Sequence, residues 1–421
     1  MTLPTAAKRV AARAVVMVIV MTAAAGVVSA QAVGPEIPIW VGAVESHDPV
    51  VAFDIIHEEF LVVWYNTQGP NTEDIYARRV NMDGSLSTWF SVVSATGEYH
   101  GSPAVAYSEV RDEYLVAWNY EYAAGDFDIL GSLISWNGSS IGTPFTINND
   151  LDNQDEPDVA FNPNDDEYLV VYGNSWIGGL RDIAAQRVDG GGSLLSWANI
   201  ATSSGAGRYS ARVVFSPEQN TYLIGYTRDA GGTAGIDVAG KIAAPDLAGV
   251  SIALEITIVD DSVDAAINPA VGATAEGFIA QYNLPVYPRA RRLAADGTPL
   301  GPPSGFLLGV SLGITYPSRA NAVARADAVG FVSAQQRFGP NYGQVYAQVI
   351  SPSSDKILSR TFAVAVDHVW NGEVDIDCAP WGTCLIVYQS DTDIVGKIIR
   401  LNLFGDDFEV GDTRHWSGVL P

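Results

Sequence analysis

The run Glu59-Phe60-Leu61-Val62-Val63-Trp64 decides the fold, because the chain repeats it at long, regular intervals. It returns as Glu113-Tyr114-Leu115-Val116-Ala117-Trp118 and as Glu167-Tyr168-Leu169-Val170-Val171-Tyr172. Looser copies occupy 222–226, 278–282, 331–335 and 384–388. The copies end at 64, 118, 172, 226, 282, 335 and 388, so the steps are 54, 54, 54, 56, 53 and 53 residues. Aromatic and β-branched residues dominate each copy, as in strands. Strands inside so long a period predict a ring of repeated small sheets.

Each copy sits in a larger unit. Upstream lies a second apolar run: Pro49-Val50-Val51-Ala52-Phe53, Pro103-Ala104-Val105-Ala106-Tyr107 and Pro157-Asp158-Val159-Ala160-Phe161. Turn formers such as Asn162-Pro163-Asn164-Asp165-Asp166 separate the two runs, which predicts a hairpin. The runs are nearly continuous in apolar residues, as expected of strands covered on both faces. A third strand follows, as in Asp74-Ile75-Tyr76-Ala77-Arg78-Arg79-Val80. One of its positions is Ala or Gly in every unit: 77, 131, 185, 239, 290, 347 and 396. That constancy implies close approach by a neighbouring sheet. Short fourth strands are expected near Phe90, Phe145, Phe306 and Phe362.

Four antiparallel strands repeated seven times predict an all-β, seven-bladed β-propeller over residues 31–404. The last unit lacks a clear fourth strand, and an orphan strand at 37–44 precedes the first hairpin. The orphan is expected to complete the last blade and so pair otherwise exposed edges. A tandem array of small β-domains is the alternative, but units of about 54 residues bury little core alone.

Residues 1–30 read as a secretory signal peptide: basic Lys8, Arg9 and Arg13, an apolar stretch at 14–28, and Val28-Ser29-Ala30 as the cleavage motif. No later segment reaches 18 continuous apolar residues, so no transmembrane segment is expected in the mature chain. Export leads to a secreted, periplasmic or cell-surface location. The only cysteines, Cys378 and Cys384, fall in the last hairpin and are expected to form a disulfide there. The formal charge is −25, from 48 acids and 23 bases, which argues against nucleic acid and anionic membrane as partners.

The repeat resembles that of secreted bacterial β-propeller proteins, in which Pro-x-Val-Ala-Tyr leads to Glu-Tyr-Leu-Val-Val-Trp and then Asp-Ile-x-Gly-x-Arg-Val. The first three units match it well, and those at 211–242, 269–293 and 320–350 loosely. The resemblance implies an extracellular propeller and brings no catalytic residues. The tail at 405–421, with Asp406-Asp407-Phe408-Glu409-Val410-Gly411-Asp412 and Trp416-Ser417, is similar to a C-terminal Asp-x-Phe-Glu-Ser-Gly-Asp…Trp-Ser tail of secreted bacterial proteins. Here Val410 replaces the usual Ser. A sorting or secretion signal is one reading of the tail, and an extension packed on the last blade is the other.

Function is expected where the copies differ, in loops entering each blade and loops joining its second and third strands. Aromatics crowd these loops: Tyr99, Tyr120, Tyr122, Trp176, Tyr209, Tyr287, Tyr316, Tyr342 and Trp370. Arg208, Arg289 and Arg319 accompany them, and so do His100 and His368. Exposed aromatics beside hydrogen-bonding groups suit glycan, peptide or protein recognition. Three rim histidines, His47, His100 and His368, precede adjacent blades and offer either a metal set or polar rim contacts. The loop carrying Asp150, Asp152 and Asp155 has oxygen ligands of the kind Ca²⁺ takes. It lacks the glycine of a helix-loop-helix calcium loop, so a solvated turn is the other reading. No other cofactor is implied. No nucleophile elbow, zinc-protease helix or phosphate-cradling loop occurs. The expected function is a secreted, non-catalytic binding propeller. A polysaccharide-acting hydrolase or lyase and a structural or display module are the alternatives.

Overall fold

The computed structural model describes residues 29–69, 72–95, 97–123, 125–151, 153–175, 181–202, 205–229, 231, 235–259, 266–284, 288–308, 321–326, 330–339, 342–359, 361–365 and 371–402. Every regular element among them is a β-strand. The strands form seven antiparallel sheets; six are ordered by sequence from first strand to fourth, and in the seventh the N-terminal segment lies beside the last strand of the chain. The first strands are Glu45–Asp54, His100–Ser108, Asn153–Asn162, Gly207–Ser216, Ile267–Thr274, Asn321–Ala326 and Asn371–Cys378. Each touches its counterparts in both neighbouring blades, and the last touches the first, so these strands close a ring. The protein is a seven-bladed β-propeller with its first strands around a central channel.

The repeated phrase is the second strand, and its apolar side chains are almost fully buried between blades. Its leading aromatic pairs with the aromatic ending the first strand. Ring centroids are 5.0 Å apart for Phe53–Phe60, 4.9 Å for Tyr107–Tyr114, 5.0 Å for Phe161–Tyr168 and 4.8 Å for Phe215–Tyr222. In the last blade the same register position holds Cys378 opposite Cys384, joined by the expected disulfide.

The invariant small residue faces its own fourth strand as well as the next blade. Ala77, Gly131, Ala290 and Ala347 lie directly across from Phe90, Phe145, Phe306 and Phe362 of their own fourth strands. A Cβ placed on Gly131 would lie 2.8 Å from Ile147 and 3.3 Å from Leu115, both in the same blade. At Gly131 the crowding comes from the blade's own outer and inner side chains, while Ala77, Ala185 and Ala347 also pack in clusters shared with the next blade.

The N-terminal segment completes the last blade. Ile37–Trp40 pairs with Ile394–Gly396 of the last strand, and Ser29–Val33 extends the pairing to Asn402. The strand is thus shorter than the expected 37–44 and has a second part upstream. Ser29 and Ala30, from the expected cleavage motif, supply its first two pairs. Among the described residues no helix is long and apolar enough to cross a membrane. Residues 1–28 and 403–421 lie outside the described residues, and with them most of the expected leader and the tail.

Candidate functional site

Antiparallel topology places the start of each first strand and the end of each second strand at the same end of the ring. Six described residues interrupt the first strands at that end: Asp48, Ser102, Glu156, Ser210, Asn268 and Glu373. All have positive φ, between 29° and 54°. Each marks a register shift in the pairing of its first strand, at a bulge that turns the entering loop toward the channel mouth. Proline follows in four of the six. It lacks an N–H, and here it occupies a channel-side edge.

Below the bulges, first-strand carboxylates bridge consecutive blades. Glu373 Oε2 accepts the Asp48 N–H at 2.5 Å, Asp375 Oδ2 the Val51 N–H at 2.9 Å, and Asp377 Oδ2 the Phe53 N–H at 2.7 Å. Blade three repeats the device toward blade four: Glu156 accepts from Ser210, and Asp158 Oδ2 from the Val213 N–H at 2.8 Å. Asp48 accepts the Ser102 hydroxyl. These acids satisfy donors that the free edge of an inner strand would leave unpaired. The channel has a volume of about 500 Å³ and is walled by Pro49, Pro103, Val105, Asp158, Arg212 and Asp375 among others. Its narrowness removes most water from the acids: burial raises Asp375 to about 7 and Asp377 to about 6, against backbone N–H bonds that lower both.

At the mouth, blades one and two carry a band of aromatic rings. Tyr65 lies 5.1 Å from His47, and Tyr99 packs edge-on to Phe127 at 5.5 Å. His100 stacks on Tyr120 at 5.2 Å. Tyr122 beyond them is 71% exposed. Carboxyl groups accompany the rings. Burial, then Asp126, raises Asp128 to about 6, and burial, then Glu121 and Asp74, raises Glu73. Burial also raises the Tyr120 phenol, ahead of Glu98 and Asp128. His100 itself is buried. Its Nδ1 accepts the Trp118 indole N–H at 3.0 Å, so its proton resides on Nε2, 3.4 Å from Glu98. Burial lowers its pKa, and it serves the band as a neutral prop.

The other expected site residues lie apart from this band. Arg208 is buried, bonded to the carbonyls of Thr202 and Ala206 and to Glu255, which Arg228 shares. Arg289 bonds to Ser304 and the Gly305 carbonyl. Both arginines brace loops of their own blades. Tyr209 is half-buried in blade four, with burial and then Asp229 pushing its phenol up to about 12. Asp155 pairs with Arg181, which burial lowers to about 10, and Asp150 exchanges hydrogen bonds with Asn148. Tyr342 pairs through its backbone with Gly339 in blade six. Asp152, Trp176, Tyr287, Tyr316, Arg319, His368 and Trp370 lie outside the described residues.

Sequence reasoning did not single out Tyr65 or Phe127. It also missed the channel acids. Their signal was present in Val374-Asp375-Ile376-Asp377-Cys378, where acids alternate with apolar residues and so share one face of a strand.

No protein-family model matches the chain, and no curated protein is similar to it. The fold is similar to that of a protein of unknown function from Dyadobacter fermentans, with a TM-score of 0.54 at 8% identity over 87% of this chain and 98% of that one. It is also similar to puromycin hydrolase, with a TM-score of 0.52 at 12% identity over 81% of this chain and 50% of that one. The β-propeller domain of the Trilobed protease from Pyrococcus furiosus aligns over 83% of this chain and 93% of that one, with a TM-score of 0.49 at 10% identity. At these identities the likeness is one of fold alone.

Proposed function

We propose that this protein is an exported, non-catalytic propeller that binds an extracellular glycan, peptide or protein on the loop-bearing end of blades one and two. One observation carries the reading: the aromatic band from Tyr65 through Tyr99 and Tyr120 to the exposed Tyr122, flanked by the carboxyl groups of Glu73, Glu98 and Asp128. Aromatic faces stack on sugar rings or apolar side chains, and the carboxyl groups bond hydroxyls or amines at their rims. A glycan array and a pull-down with Tyr120→Ala and Tyr122→Ala test it. Binding falls at least tenfold in these variants while their melting temperatures stay within a few degrees of wild type. Full retention of binding in both removes the site.

A polysaccharide hydrolase or lyase is the second reading, favoured by the raised Asp375 and Asp377 in the channel. Their hydrogen bonds to the backbone of blade one supply a structural reason for both residues, which ranks this reading second. Turnover of a polysaccharide that is abolished by Asp375→Asn would reverse that order.

A further inference from the structure

At the opposite end of the ring, the turns between first and second strands link blades one to five in succession. Arg111 of blade two pairs with Asp166 of blade three. Asn164 donates to Asn220 at 2.8 Å, and Gln219 to the Ala275 carbonyl at 2.7 Å. The link between blades one and two differs in chemistry. His57 Nδ1 lies 2.8 Å from Asp54 Oδ2 and 3.3 Å from Asp112 Oδ1. Among the described residues, Asp54, His57 and Asp112 are the one group whose donor atoms converge closely enough to share a metal ion.

We propose that these three residues form a binding site for a divalent transition cation of the Zn²⁺ class, bridging blades one and two. A tetrahedral ion with ligands at about 2.0–2.1 Å places its donors about 3.3 Å apart, close to the separations seen here. One imidazole nitrogen with two carboxylate oxygens suits Zn²⁺ and its neighbours, whereas Ca²⁺ and Mg²⁺ prefer oxygen alone.

The ligands are held in place by groups outside the set. Asp54 Oδ1 accepts the N–H groups of Ile56 at 2.8 Å and His57 at 2.9 Å, which aims Oδ2 at the imidazole. The Tyr107 hydroxyl donates to Asp112 Oδ1 at 2.8 Å. The His57 ring stacks on Trp136 at 3.6 Å and 9°, and Arg79 lies over the same indole. Such outer contacts fix the orientation of metal ligands. The Asp54 side chain is wholly buried, while His57 is 25% and Asp112 36% exposed. A fourth position therefore opens to solvent.

Blades two, three and four use the same turn without the donor set. The position of Asp54 is taken by Ser108, Asn162 and Ser216, each accepting a turn N–H. The position of His57 is taken by Arg111, Asp165 and Gln219. The turn is therefore scaffold in the first four blades, and among them the N/O/O set is particular to blade one.

The test titrates ZnCl₂ into the EDTA-stripped full chain at pH 7.5 by calorimetry, with CoCl₂ absorption as a second readout. One equivalent binds per chain, and Zn²⁺ raises the melting temperature by several degrees while Mg²⁺ does not. Asp112→Asn keeps the Tyr107 hydrogen bond and a folded chain, and weakens Zn²⁺ binding at least tenfold. His57→Gln does the same and removes the nitrogen-ligand signature from the Co²⁺ spectrum. Asp166→Asn, in the neighbouring turn, leaves affinity unchanged. Absence of saturable binding, or equal affinity in wild type, Asp112→Asn and His57→Gln, overturns the proposal and leaves His57 as an ordinary inter-blade latch.

Discussion

Four of the inner hairpins end in an aromatic pair at one register position, and one ends in a disulfide there. The task is the same: to hold together the far end of a hairpin whose turn faces solvent. Phe60 is fully buried, so Phe60→Ala lowers stability by about 3–5 kcal/mol through lost burial and a cavity. The disulfide closes a short loop, since its cysteines are 6 residues apart, and chain entropy assigns it about 2 kcal/mol. Denaturant melts of wild type, Phe60→Ala and Cys378→Ser/Cys384→Ser check both values. An effect of the double serine variant exceeding that of Phe60→Ala would show that the cystine does more than replace a ring pair. The exposed Tyr122 has neither duty, which is why its truncation is expected to leave stability untouched and report on binding alone.

At the scale of the strand, the hairpins, third strands and blade number were legible because repetition averages away local ambiguity. A single apolar run reads equally as a strand or a buried helix turn, but seven at one interval do not. The small position was visible too, but only part of its cause was. Only the register shows that position 77 and its equivalents face the fourth-strand Phe. Gly131→Val therefore collides with Ile147 and Leu115 inside blade two. A cost of about 1–3 kcal/mol is expected, read as a lowered urea midpoint with an unchanged slope. Relief by Ile147→Ala in the same chain would confirm that the clash lies within the blade, and absence of relief would count against it. The candidate site was less legible. Tyr120 and Tyr122 lie in a stretch set apart by aromatic content, but Tyr65 is set beside His47, and Phe127 beside Glu121 and Tyr99, only by strand pairing within their blades. His57 escaped notice because a histidine in a polar turn carries no periodic signal, and its partner Asp112 belongs to the next blade.

For the whole molecule the question is how the ring stays shut where the two ends of the chain meet. The seam between blades seven and one has three carboxylate bridges, Glu373, Asp375 and Asp377, against two between blades three and four. Burial raises Asp375 and Asp377 above the ordinary value of 3.8, to about 7 and about 6. Between about pH 4 and 7 the unfolded chain releases these protons while the folded chain keeps them, so their contribution to stability declines as pH rises through that window. Asp375→Asn retains an acceptor for the Val51 N–H and removes the titration. The stability difference between variant and wild type, from denaturant melts at pH 4.5 and 7.5, should shift in favour of the variant at the higher pH. A pH-independent difference would refute the assignment. The second fastening is the N-terminal strand. Ile37 and Ile39 are buried in a cluster shared by blades one and seven, with Phe60, Trp64, Leu385 and Ile394. Trp40 stacks on Tyr76 at 5.8 Å, Arg78 donates to the Ile39 carbonyl at 2.7 Å, and Tyr388 donates to Glu36 at 3.0 Å. A chain beginning at Gln31 loses only the pairs of Ser29 and Ala30 and should melt as the longer chain does. A chain beginning at Val41 loses both isoleucines, worth about 3–6 kcal/mol in burial. It also bares the edge of Asp393–Asn402, a template for pairing between molecules. The shorter chain should melt well below the longer one and elute as oligomers in size-exclusion chromatography. If the two melted together as monomers, the ring would be held by the channel acids and inter-blade packing alone, and the N-terminal strand would be an edge cover.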